Sequence, residues 1–118
     1  MNEQPKYKII LNADVRSFIK SLPTKAANKV TYNLNIVAGG LIDKELFKKL
    51  AGSEIWEFRT LYMGVCYRLL AFWDTAEEAL IITTHGFIKK TDKVPEREIA
   101  KAEKLRQLYF ETKRIKNI

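Results

Sequence analysis

Hydrophobic patterning predicts an α+β fold for this 118-residue chain. The expected architecture is an N-terminal strand and a helical hairpin packed on an antiparallel sheet of three or four strands, followed by a C-terminal helix. Three observations carry that expectation. Apolar residues recur at helical spacing before residue 40, alternate at strand spacing from residue 54 to 87, and return to helical spacing after Pro95. The length suits one domain covering residues 1–118, and a hydrophobic content of 47% can supply its core.

The elements follow in order. Lys6 to Leu11 alternates weakly and reads as a first strand. Val15, Phe18, Ile19 and Leu22 then lie at i, i+3, i+4 and i+7, one face of a short helix. Asn12 stands where a capping side chain belongs. Pro23 interrupts the pattern and starts a second helix, with Ala26, Val30, Leu34 and Val37 on its apolar face. Gly39 and Gly40 end it, because glycine tolerates the left-handed conformation past a helix C-terminus. Leu46 to Leu50 offers a short extra strand.

Glu54 to Tyr62 alternates, with Trp56 and Phe58 on one side and Glu57 and Arg59 on the other. Met63 and Gly64 make a tight turn into Val65 to Trp73, a strand rich in aromatics and aliphatics. Asp74 to Glu77 turns again into Ala79 to Phe87, where Ile81, Ile82, Thr83 and Thr84 favour extended structure. Trp56, Phe58, Phe72 and Trp73 read as core or sheet cover. Pro95 suits the first turn of a helix, and Glu96 and Glu98 complement its positive end. Ile99, Ala102, Leu105 and Tyr109 form its apolar stripe. The basic tail from Lys113 to Lys116 is expected to fray.

Charge and composition narrow the function classes. Lys and Arg total 21 against 14 Asp and Glu, a net charge of +7 that attracts nucleic acid or an acidic protein. By segment, residues 1–50 carry +5, residues 51–94 carry −1 and residues 95–118 carry +3. The excess lies on the helices and tail, while the sheet region is nearly neutral. One cysteine and one histidine cannot make an internal disulfide or a Cys/His-rich metal site. Cys66 reads as a small buried strand residue, and no metal or cofactor is expected. The polar N-terminus lacks a signal-peptide pattern, and no apolar run approaches the ~20 residues needed to cross a bilayer. A cytoplasmic protein without membrane association is therefore expected.

Three stretches bear on function: EIWEFRTLYMGVCYRLLAFW (Glu54 to Trp73), HGFIKKTDKVP (His85 to Pro95) and EIAKAEKLRQLY (Glu98 to Tyr109). Taken in series they resemble the phage-derived HigB-like branch of the RelE/ParE toxin superfamily. The likeness is strong in the C-terminal half and rests on element order in the N-terminal half. It implies the toxin of a type II toxin–antitoxin system, neutralised by a cognate antitoxin of helix-turn-helix type. Most RelE and HigB relatives cut messenger RNA, often on the ribosome. ParE relatives share the fold and poison DNA gyrase.

Metal-free RNA cleavage uses the ribose 2′-OH as nucleophile. It needs a base for that proton, an acid for the leaving 5′-oxygen and cations for the phosphorane-like transition state. The resemblance places Arg68, in the YR pair, where relatives hold an arginine on the scissile phosphate. Otherwise Arg68 is a strand arginine paired with a carboxylate. Arg59 and Glu57 occupy a face where relatives carry two basic residues, one of them proposed as a base. Glu57 departs from that pattern; it either replaces the base or pairs with Arg59.

Of Lys89 and Lys90, Lys90 matches a phosphate-binding arginine of the relatives, and Lys89 joins it as an RNA-binding candidate. His85 titrates near neutrality and is a candidate acid or base, or else a packed histidine at a strand end. Phe87, on the same strand face as His85 if the strand is regular, either stacks a base or belongs to the core. The leading expectation is thus a metal-independent, ribosome-dependent mRNA endonuclease. The alternatives are a ParE-like gyrase poison and a non-catalytic basic binding protein of the same fold.

Overall fold

A computed structural model describes residues 5–90 and 93–116. Residues 1–4 of the polar N-terminus, Thr91 and Asp92 of the HGFIKKTDKVP stretch, and residues 117–118 lie outside it. The elements are β1 (Lys8–Ile10), α1 (Ala13–Ser21), α2 (Thr24–Ala38), β2 (Phe47–Lys49), β3 (Trp56–Tyr62), β4 (Val65–Trp73), β5 (Leu80–Lys89) and α3 (Glu96–Lys116). They form a five-stranded sheet in the order β1-β5-β4-β3-β2.

The expected antiparallel meander is present as β2 to β5. The sheet is nevertheless mixed, because β1 pairs parallel to β5 at one edge. Three residues of β1 are too few to show an alternation that would reveal the partner.

Local chemistry accounts for the boundaries. Asn12 Oδ1 accepts from the Val15 amide at 2.9 Å and caps α1. Gly40 takes a φ of 110° directly after α2. In the β3–β4 turn both Met63 and Gly64 have positive φ, at 51° and 77°. That is the twist a two-residue hairpin requires, and it costs Met63 strain that a glycine would escape.

The sheet has two covered faces. On one, α1 and α2 bury Val15, Val30, Leu34 and Val37 against Phe47, Phe58, Leu69, Ala71 and Ile81. Gly86 admits this packing, since a β-carbon there would overlap Phe18 of α1 and Leu69 of β4. On the other face, α3 covers Leu70, Phe72 and Ile82 through Ala102, Ile99, Tyr109 and Phe110. Phe72 therefore faces α3, while Trp56, Phe58 and Trp73 face the hairpin.

Two expectations need correction. Cys66 is half-buried, on the second residue of β4 next to the hairpin turn. The basic tail does not fray as expected, since α3 runs on to Lys116. Buried Asp74, which opens the β4–β5 turn, holds it: its Oδ2 takes Tyr109 Oη at 2.6 Å and Lys113 Nζ at 2.5 Å. Among the described residues no helix is long and apolar enough to cross a membrane.

Candidate active site

The antiparallel ladders bring side chains of three strands into one row. Arg59 lies opposite Arg68, and Arg68 opposite Phe87. In the next row on the same face, toward the hairpin tip, Leu61 opposes Cys66, and Cys66 opposes Lys89. Directly opposed residues share a sheet face, here the one that α3 covers further along. Glu57 stands two residues before Arg59 and opposite Lys48 of β2.

Glu57 is the centre of this arrangement. Its side chain is 0% exposed, with Oε1 3.4 Å from Arg59 Nε and Oε2 3.2 Å from Arg68 Nε. Arg68 is itself only 3% exposed. Neither contact has hydrogen-bond alignment, so both carboxylate oxygens and both Nε atoms are buried without a hydrogen-bond partner. A buried carboxylate normally fills its lone pairs; one that does not marks stored strain or a group awaiting a ligand.

Glu57 forms the floor of a cleft of about 220 Å³ whose cationic walls are Lys48, Lys89 and Lys93. Leu50, Val94 and Ile99 give it an apolar side. The Lys89 ammonium is held below the ordinary lysine range, first by burial and then by the positive charge of Arg68, with Glu57 pulling the other way and Arg59 adding to the depression. Such an amine gives up its proton more readily than a surface lysine does.

The expected residues divide into two groups. Arg59, Arg68, Glu57 and Lys89 come together. Lys90 lies just past β5, is exposed, and lines not the cleft but a neighbouring groove of about 240 Å³, together with Phe87, Arg97 and Lys89, which borders both. A β-bulge in β5 is the reason. Ala71 pairs with Thr83 but Leu70 with His85, which moves the odd-numbered residues after it onto the cleft side. Lys48 and Lys93 were not anticipated. Lys48 alternates with inward Phe47, so its face was legible, but nothing in the sequence pairs β2 with β3.

His85 also stands apart from the cleft. It is 5% exposed, with Nε2 3.1 Å from Glu98 Oε1 of α3 and Nδ1 3.1 Å from Thr84 Oγ1. A proton on Nε2 lets it donate to Glu98, and the single Thr84 hydroxyl proton is then contested by His85 Nδ1 and the Leu70 carbonyl at 3.2 Å. Phe87 lies beside it, ring centroids 6.0 Å apart, and is packed against the α3-side core. These two rings tie α3 to β5.

Burial lowers the His85 pKa below 6.5, and the Glu98 bond only partly offsets this. The unfolded chain therefore takes up a proton first as pH falls. The stability from neutral His85 is complete above pH ~6.5 and declines below it. His85→Gln should flatten the pH dependence of the urea midpoint below about pH 6.5, with little change at pH 7.5. A wild-type slope retained in the variant would assign it to another group.

The family model described as "Phage derived protein Gp49-like (DUF891)" matches residues 17–107, from α1 through most of α3, and includes every residue of the cleft. No curated protein matches the chain.

Proposed function

From a chain that belongs to the phage-derived Gp49-like family, a RelE-type, toxin-like family, we propose an endoribonuclease that cuts messenger RNA without a metal. The observation that carries this reading is Glu57, a buried carboxylate clamped between two guanidinium groups without hydrogen-bond alignment, at the floor of a lysine-walled cleft. Its parts match what 2′-OH chemistry needs.

Lys48, Lys89 and Lys93 draw the RNA backbone into the cleft. A scissile phosphate offers Arg59 and Arg68 oxygens in the geometry that guanidinium forks prefer, and so competes with Glu57 for them. Released from its clamp, Glu57 takes the proton of the 2′-OH. The 2′-oxygen bonds to phosphorus, the bond from phosphorus to the 5′-oxygen breaks, and Lys89 protonates the departing oxygen. The products are a 2′,3′-cyclic phosphate and a 5′-hydroxyl. Arg59 and Arg68 stabilise the charge on the non-bridging oxygens in between. The proposal extends to the setting: cleavage on the ribosome, restrained by a cognate helix-turn-helix antitoxin.

One observation favours a second reading. Arg68 is closed off from solvent, which suits a structural Arg–Glu–Arg triad in a non-nuclease binder such as a gyrase poison. Induction followed by sequencing of RNA 5′ ends separates the two, together with incubation of purified protein and ribosomes with mRNA in EDTA. The expected result is discrete cuts bearing 5′-hydroxyls, unaffected by chelation. Intact RNA with inhibited topoisomerase would favour the second reading.

A further inference from the structure

The β5 bulge decides which lysine reaches the cleft. Before it, Ile82 joins the α3-side core and Ile81 the hairpin-side core. Thr84 has no counterpart across the ladder. Beyond it the parity is reversed, with Phe87 on the α3 side and Gly86 against Phe18 and Leu69 on the hairpin side. Lys89 continues the odd series into the cleft. In an unbroken strand the even series would stay on the α3 side and carry Lys90 there instead.

A bulge leaves backbone groups that need partners. Asn12 supplies them. Its Nδ2 donates to the Thr83 carbonyl at 3.0 Å and to the Thr84 carbonyl at 2.9 Å. Its Oδ1 caps α1, and its backbone amide donates to Thr83 Oγ1 at 3.3 Å. Thr83 Oγ1 donates in turn to the Ile10 carbonyl at 2.7 Å. The amide side chain thereby joins the first turn of α1 to the irregular point of β5, and Thr83 ties both to the end of β1.

We propose that Asn12 is a positioning residue that holds the β5 bulge and so places Lys89, rather than Lys90, among Glu57, Arg59 and Arg68. The role of that lysine in RNA cleavage rests on the proposed function; the placement itself does not. Asn12 touches no substrate. It acts through the register of β5.

Asn12→Ser tests this. A serine hydroxyl still caps α1, but it cannot donate to two carbonyls at once. The first readout is the titration of the Lys89 ammonium group, followed by NMR of ε-labelled lysine, and it requires no nuclease activity. Lys89 faces Arg59, Glu57, Arg68 and Cys66 across the sheet, Lys48 and Lys93 across the cleft, and Arg97 and Glu98 of α3 across the groove it shares with Lys90. In wild type Lys89 should titrate below the ordinary lysine range. In Asn12→Ser, with α1 intact by circular dichroism, its titration should return toward that range. An unchanged Lys89 titration in the folded variant overturns the inference.

The second readout needs no Asn12 variant to fold. Lys89→Met should weaken binding of a short single-stranded RNA about tenfold or more, and Lys90→Met less than twofold. A larger loss in Lys90→Met overturns the placement. If both lysine variants bind as wild type while the Lys89 titration depends on Asn12, the positioning role stands and the RNA reading falls.

Discussion

Arg68→Ala should reduce RNA cleavage by roughly a thousandfold, the scale seen when a preorganised donor to a developing oxyanion is lost. Arg68 takes one Glu57 oxygen at 3.2 Å, and its strand register sets it between Arg59 and Phe87. The alanine variant also leaves a buried carboxylate with one counter-ion instead of two, which itself costs stability. A second variant keeps the experiment clean. Glu57→Gln/Arg68→Met removes both charges at nearly constant volume, so it should fold with wild-type cooperativity and still fail to cleave. Glu57→Gln alone should slow the chemical step by about a hundredfold or more, with RNA affinity unchanged or higher because an anion has left the cleft. Full activity in a folded Arg68→Ala protein would remove Arg68 from the mechanism.

The largest effect on stability is expected from Asp74→Ala. Burial pushes the Asp74 carboxyl up, but bonds from Lys113, Tyr109 and the Ala76 and Glu77 amides outweigh it and hold the pKa at about 2. The same contacts raise Lys113, whose largest influence is the Asp74 bond. Burial and the Asp74 bond together push Tyr109 up to about 12. Alanine strands three donors, leaves Lys113 only Glu77 at 3.3 Å, and loosens the C-terminal half of α3, at a cost of about 3 kcal/mol. For a domain of this size that is a fall in Tm of roughly 10–20 °C. Acid provides an independent check. The folded pKa lies below the ordinary 3.8, so the stabilisation is complete above that pH and is lost as pH falls toward 2. The wild-type acid transition should therefore be steeper than that of Asp74→Ala. Equal Tm values would show that α3 is held elsewhere.

Side-chain periodicity is a local property, and the elements it governs could be read from the sequence. The span of β4 matches its expected range, and Asn12 caps α1 where the pattern begins. The opposite faces of Trp56/Phe58 and Glu57/Arg59 follow from strand alternation alone. Arg59, Arg68 and Glu57 were likewise visible as candidates, because motif and residue chemistry single them out before any contact is known.

Contacts between distant segments were not legible. Counting residues 51–94 gives one net negative charge, yet, Glu57 apart, the sheet separates the charges it carries among the described residues by end. Glu54, Asp74, Glu77 and Glu78 lie at or beyond the Trp56–Trp73–Leu80 end, whereas Arg59, Arg68 and Lys89 gather toward the hairpin tip. Antiparallel pairing does this by folding neighbours in sequence to opposite ends and bringing remote residues into one row. Lys48 enters the cleft only through the pairing of β2 with β3.

By itself, then, the sequence determined the class of fold, the faces of its helices and strands, and the guanidinium and carboxylate groups of the candidate site. Tertiary structure decided that the sheet is mixed, that His85 ties α3 to β5, that Lys113 is anchored, and that Lys89 rather than Lys90 joins the cleft. The last decision shows the physical reason. A single extra residue in β5, held by an asparagine from the β1–α1 junction, reverses the alternation on which any reading of that strand depends.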